Sequence, residues 1–124
     1  MKKFQLSDFP PRETWLIFRL DTPIAGKAAD AYILMELPQG PVLSRVSASG
    51  KGLARREEIE LFEAAFTKIK YWPKKFIIIE GDPIKKSLLH FSKFLRPFDI
   101  EQYPATSLEN LIAPVRESLG LHNP

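Results

Sequence analysis

With 124 residues, 44% of them hydrophobic, and no cysteine, the chain supports one globular domain with a sizeable core and excludes disulfides, thiolate metal sites and thiol nucleophiles. Its net charge of +3 is too small to argue for nucleic acid by itself, so local patches must carry any such case. Met1-Lys2-Lys3 is not followed by an apolar core of signal-peptide length and no apolar run approaches membrane-spanning length, so a cytoplasmic location without membrane attachment is expected.

Residues 1–13 read as an N-terminal arm made irregular by Pro10 and Pro11, with Phe4, Leu6 and Phe9 pinning it to the body. Residues 14–120 read as a single α/β domain and residues 121–124 as a tail. Thr14 to Leu20 is the first strand. Asp21 to Asp30, with Pro23 and Gly26, is a small-residue connection. Ala31 to Leu37 is a second strand, interrupted only by Glu36. Pro38-Gln39-Gly40 makes a tight turn, since Pro38 presets φ and Gly40 accepts the left-handed conformation. Val42 to Ala48 returns as a third strand. Its alternation puts Val42, Ser44 and Val46 on one face and Leu43, Arg45 and Ser47 on the other, so it lies nearer a sheet edge.

Ser49 to Gly52 is a linker, and a helix follows from about Ala54 to Lys70, with Ile59, Phe62, Phe66 and Ile69 as its apolar stripe. Trp72-Pro73 ends it, because the residue before proline is pushed out of helical geometry. Phe76 to Ile79 is a short, β-branched, continuous apolar run between Lys74-Lys75 and Gly81-Asp82-Pro83. Length and flanks make it a strand, and a strand apolar on both faces belongs in the middle of a parallel sheet. Asp82 then caps a second helix, Pro83 to Leu95, whose stripe is Ile84, Leu88, Phe91 and Leu95 and which Arg96-Pro97 stops. Phe98 to Tyr103 is a last strand. Thr106 and Glu109 form a capping box for a third helix with Leu108, Leu111, Ile112, Val115 and Leu119 inward. Pro114 should kink or split that helix near Ala113, and Gly120 should end it.

The expected fold is therefore α/β, with a mixed five-stranded sheet: three early antiparallel strands, then helix, strand, helix, strand, helix. This succession, over roughly residues 14 to 120, resembles the ribonuclease-H-like fold and small uncharacterised bacterial domains of that element order. The resemblance implies acidic metal ligands on the first strand, on the first helix and at the end of the fourth strand. Here those positions fall on Arg19 to Asp21 or Glu36, on Glu58 or Glu63, and on Glu80 or Asp82. The middle of the first strand carries Trp15, Leu16 and Ile17 and no acid.

Two clusters are site candidates. Glu80 and Asp82 follow a parallel strand, where α/β sheets favour ligands, and together with Glu36 and Glu58 they could hold Mg²⁺ or Mn²⁺ against a phosphate ester. The alternative is that Asp82 is only a helix cap, Glu80 a solvated strand end, and Glu36 a wet residue before the turn, facing Arg45. The second cluster is Lys68-Ile69-Lys70-Tyr71-Trp72-Pro73-Lys74-Lys75. Lys70, Tyr71, Trp72, Lys74 and Lys75 offer charge for phosphates and rings for bases. Its alternative is a connecting loop whose Trp72 packs on the body. The intervening strand spans roughly 17 Å, so the basic loop and the acids lie at opposite ends of the sheet. Gly50 and Gly52 lack the spacing of a phosphate-binding loop, and His90 and His122 pair with no serine at a recognisable elbow.

With no convergent polar site, the expected function is a non-enzymatic module that binds a protein partner or a second copy of itself, with no cofactor. Phe4, Phe9, Trp72 and Tyr103 are the expected anchors of such a contact. A metal-dependent nuclease or phosphoesterase, with Mg²⁺ or Mn²⁺ as its cofactor, and a nucleic-acid-binding module using the Lys68–Lys75 loop are the alternatives.

Overall fold

The computed structural model describes residues 4–24, 27–37, 42–48, 53–93 and 98–118. After a single turn of 3-10 helix at Leu6–Asp8 come β1 (Thr14–Ile24), β2 (Lys27–Leu37), β3 (Val42–Ala48), α1 (Arg55–Ile69), β4 (Lys75–Ile79), α2 (Ile84–Phe91), β5 (Asp99–Tyr103) and α3 (Ala105–Ser118). The sheet has five strands in the order β3-β2-β1-β4-β5. β2 is antiparallel to β1 and β3, whereas β4 is parallel to β1 and β5. This is the expected mixed α/β sheet, with β3 at an edge. The middle strand is β1, and β4 lies beside it.

Burial on both faces explains the apolar run of β4. Phe76 and Ile78 pack with Trp15, Ile17, Tyr32 and Leu34 beneath Leu61, Phe62 and Ala65 of α1 and Ile84 and Leu88 of α2. Ile77 faces the other way and joins Leu16, Phe18, Ile33 and Met35 beneath Leu108, Leu111, Ile112 and Val115 of α3. Phe4 and Phe9 belong to that second cluster, so they pin the arm to the body as expected, and the arm adds to the α3 layer; the side chain of Leu6 lies outside those described. The chain thus folds as three layers with the sheet between two helical covers.

Several boundaries differ from expectation. The connection expected at residues 21–30 is largely strand: β1 and β2 pair continuously from Thr14↔Leu37 to Ile24↔Lys27. β1 pairs with β4 only as far as Ile17↔Ile78, so Pro23 stands where β1 has no second neighbour to supply with a donor. In β3, Leu34 pairs with Ser44 and Met35 with Val42, leaving Leu43 as a bulge. The extra residue breaks the expected alternation and puts Leu43 with Val46 in the core beneath α1. The same register sets Arg45 opposite Ile33 and not opposite Glu36.

In α1 the buried stripe is Leu61, Phe62 and Ala65, while Ile59 is 38% exposed. Glu58 faces inward in place of Ile59, held there by a polar contact with α2 described below. α3 begins at Ala105, one residue before the expected cap, and runs unbroken through Pro114. Both Pro114 and Asn110, four residues earlier, are exposed, so water can satisfy the carbonyl that Pro114 leaves without a donor. The stops expected at Arg96-Pro97 and Gly120, the Pro38–Gly40 turn, and the inward Leu95 and Leu119 lie outside the described residues.

Candidate functional site

At the carboxyl-terminal end of β4 the chain turns through Gly81, whose φ of 82° suits a residue without Cβ, and the N–H of Asp82 returns to the carbonyl of Ile79 at 3.1 Å. This turn delivers the Asp82 carboxylate to the start of α2. Its Oδ1 accepts the N–H of Ile84 at 2.9 Å and the hydroxyl of Tyr32 at 2.7 Å. The expected capping role is therefore present. Burial, followed by the bond to Asp82 and its charge, pushes the Tyr32 hydroxyl well above the ordinary tyrosine range. The Arg19 guanidinium, from β1, lies 5.8 Å from the centroid of the Tyr32 ring. A cation thus stands on β1 just past the stretch paired with β4, in the neighbourhood where the resemblance implies an acid.

Glu58 and Glu36 are engaged or placed elsewhere. Glu58 accepts the Ser87 hydroxyl at 2.6 Å and lies 3.5 Å from His90 Nδ1, while Arg55 Nη1 sits 2.9 Å from His90 Nε2. A guanidinium only donates, so Nε2 accepts and the Nδ1–H faces Glu58. These four side chains tie α1 to α2. Glu80 is exposed at the strand end. Glu36 pairs with Trp15, and Trp15 with Phe76, which places Glu36 at the amino-terminal end of β4, roughly 13 Å along the sheet from Glu80. Among the described residues no group of three or more His, Cys, Asp or Glu side chains is placed to hold a metal ion.

At the opposite end of the sheet the basic loop forms a concave site. Helix α1 closes on Lys70, whose φ of 66° is left-handed and whose N–H returns to the Phe66 carbonyl. Pro73 is buried, and the N–H groups of Lys74 and Lys75 both donate to the Glu13 carbonyl, at 2.9 and 3.1 Å. That clamp brings the end of the arm against the loop. Arg12, also left-handed at φ 65°, lays its guanidinium 5.1 Å from the Tyr71 ring centroid. Arg12, Ile69, Lys70, Tyr71, Trp72, Pro73 and Lys74 line an open pocket of about 520 Å³. A smaller hollow of about 260 Å³ adjoins it between Phe66, Lys70, Tyr71 and Trp72.

Sequence reasoning grouped Lys70, Tyr71, Trp72 and Lys74 correctly in space but missed Arg12. The signal was Pro10-Pro11, which turns the arm back onto the body before β1. Lys75 belongs elsewhere: it pairs with Glu101 on β5 at 3.4 Å. Lys68 is also engaged, donating to the Val42 carbonyl at 2.9 Å. The Trp72 ring stacks on Phe66 at 4.7 Å and lies 5.7 Å from Trp15, so much of it is packed on the body. Phe4 and Phe9 are buried, and Tyr103 packs edge-on to Phe4 at 4.7 Å while donating its hydroxyl to Glu101. The aromatics expected to anchor a partner are thus largely used within the molecule.

No family model matches the chain, and no curated protein does. Among solved structures, it is similar to a chain in the cryoEM structure of the simian T-cell lymphotropic virus intasome in complex with PP2A regulatory subunit B56 gamma, with a TM-score of 0.68 at 15% identity. The match covers 89% of this chain but 39% of that one, so this chain spans about two-fifths of its neighbour's length. It shows a shared fold. Endonuclease V from Bacillus subtilis overlaps with a TM-score of 0.26 at 13% identity, over 62% of this chain and 35% of that one, too loosely to bear on the fold.

Proposed function

We propose that the chain is a non-enzymatic binding domain of ribonuclease-H-like element order whose partner is a macromolecule. The observation that carries this reading is the make-up of the region around the carboxyl-terminal end of β4. Asp82 is engaged by Tyr32 and by the α2 backbone, and Arg19 adds a positive charge beside them. A divalent cation there would meet the exposed Glu80, a second carboxylate already engaged by its neighbours, and a nearby guanidinium, which disfavours its binding. Glu58 is held by α2 and Glu36 lies at the other end of the sheet.

The mode of binding follows from the edges. β5 carries Asp99 and Glu101, and Lys68 occupies a carbonyl of the β3 edge. Charges of this kind discourage strand-to-strand pairing between copies. Contact through side chains at the amino-terminal pocket is therefore favoured over self-association through an edge.

The test is a melting scan with and without Mg²⁺ or Mn²⁺, together with incubation of the protein with labelled DNA and RNA in each cation. The expected result is an unchanged melting temperature and intact nucleic acid. A cation-dependent rise that Glu80→Gln or Asp82→Asn abolishes, or cleavage that either variant loses, would restore the metal-dependent nuclease reading.

A further inference from the structure

We infer that the pocket between the Arg12 turn and the α1–β4 loop is a binding site for one nucleotide of a single-stranded nucleic acid. This rests on the reading of the chain as a binding domain and names its ligand. Three independent features of that corner converge. The first is charge: Arg12, Lys70 and Lys74 line one pocket. The acid facing them, Glu13, sits 3.7 Å from Lys74 in an exposed pair of the kind that holds weakly and yields to salt.

The second feature is backbone conformation. Arg12 and Lys70 are the non-glycine residues with positive φ among the described residues, and both are cationic walls of this one pocket. Left-handed positions favour glycine or asparagine. Neither long cation suits that conformation as glycine would, and such costs gather at functional sites. The third feature is aromatic. The Arg12 guanidinium lies 5.1 Å from the centroid of the Tyr71 ring at the wall of the pocket. Tyr71 is a wall of the pocket, and its ring lies 6.4 Å from Trp15.

The ligand chemistry follows. The cations suit a phosphate: the ammonium groups and the guanidinium supply charge and donate hydrogen bonds. The Arg12–Tyr71 pair offers a flat cation and a ring on which a base can stack, which a phosphopeptide would not use. A pocket of about 520 Å³ has room for a base and sugar as well as a phosphate. A base must be unstacked to enter, and a site of three cations at one corner matches a single strand better than a duplex.

The experiment is fluorescence anisotropy of the full chain with end-labelled oligo-dT and oligo-rU of about eight nucleotides, in EDTA, across a salt series. Binding is expected at low salt, weakening with a slope that corresponds to about two or three phosphate contacts. Lys70→Ala with Lys74→Ala should weaken it at least tenfold while the melting temperature holds. Lys70→Gly should raise the melting temperature and still weaken binding, a split that a purely structural lysine would not produce. Arg12→Ala, which removes the cation over the Tyr71 ring, should lose affinity while the melting temperature holds. Absence of binding at low salt, equal affinity in the double-alanine variant, or displacement by a phosphotyrosine peptide more readily than by unlabelled oligonucleotide would overturn the inference. A chain blind to oligonucleotides and to divalent cations would overturn this inference alone. Cleavage in Mg²⁺ would overturn the non-enzymatic reading and leave the affinity measured in EDTA to judge the pocket.

Discussion

A buried hydroxyl left without a partner costs about 1–3 kcal/mol, and Tyr32 avoids that cost through Asp82. Tyr32→Phe removes the donor but leaves Asp82 with the Ile84 N–H, so a loss of about 1–2 kcal/mol is expected in urea unfolding. The alkaline behaviour follows from the same contact. Burial first, then Asp82, raises the folded hydroxyl above its ordinary 10.0. Below that pH both folded and unfolded chains keep the proton and the contribution is complete. Above it the unfolded chain releases the proton first, so stability falls until the folded hydroxyl also ionises. Tyr103, pushed up to about 12 by its bond to Glu101 and then by burial, loses its contribution in the window from 10.0 to that value. Urea midpoints measured from about pH 8 upward should decline past pH 10, and less steeply in Tyr32→Phe. Lys70 raises a different question, because its left-handed backbone costs about 1 kcal/mol that glycine would not pay. Lys70→Gly is therefore expected to stabilise the fold by up to about that amount, also read from urea midpoints.

Between elements, the inward turn of Glu58 shows why helix faces are only partly legible in a sequence. Apolar spacing picked out Phe62, Phe66 and Ile69 but admitted Ile59, because the polar residue that shares their face has its partner on another helix. Ser87, 3% exposed, would be stranded by Glu58→Ala at a cost of about 1–3 kcal/mol. The double change with Ser87→Ala should cost less than the sum of the two single changes, and a thermodynamic cycle in urea would measure the coupling. β4, the Asp82 cap and the apolar stripe of α3 were legible because burial and capping are encoded within a few neighbouring residues. The extended β1–β2 ladder was not, since Pro23 looks like a loop residue until cross-strand pairing is seen. The Leu43 bulge and the arrival of Arg12 beside Tyr71 were hidden for the same reason: register and tertiary approach set them. Pro114 was legible as a residue foreign to a helix, but its tolerance depends on exposure. Pro114→Ala restores one helical hydrogen bond and should stabilise α3 by about 1–3 kcal/mol in the same assay.

Across the whole molecule, the two faces of the sheet are covered unequally. α1 and α2 cover one face, whereas α3 covers the other with the help of the arm, through Phe4 and Phe9, each 8% exposed. The arm is fastened at both ends: the Phe4 N–H donates to the Ser107 carbonyl at 3.0 Å, and the Glu13 carbonyl receives the N–H groups of Lys74 and Lys75. The arm is therefore part of the third layer and also the element that carries Arg12 to the pocket. A fully buried Phe→Ala change costs about 3–5 kcal/mol, and rim positions cost less because neighbours can close the gap. Phe4→Ala with Phe9→Ala is expected to cost about 3–5 kcal/mol for the pair, a large part of the 5–15 kcal/mol typical of a domain. The pair should therefore unfold at markedly lower urea while still folding in water. If the arm only decorated a self-sufficient two-layer body, the loss would stay below about 1 kcal/mol. If it is integral, the double-alanine variant should lose oligonucleotide affinity together with stability, because Arg12 reaches Tyr71 only while the arm is seated.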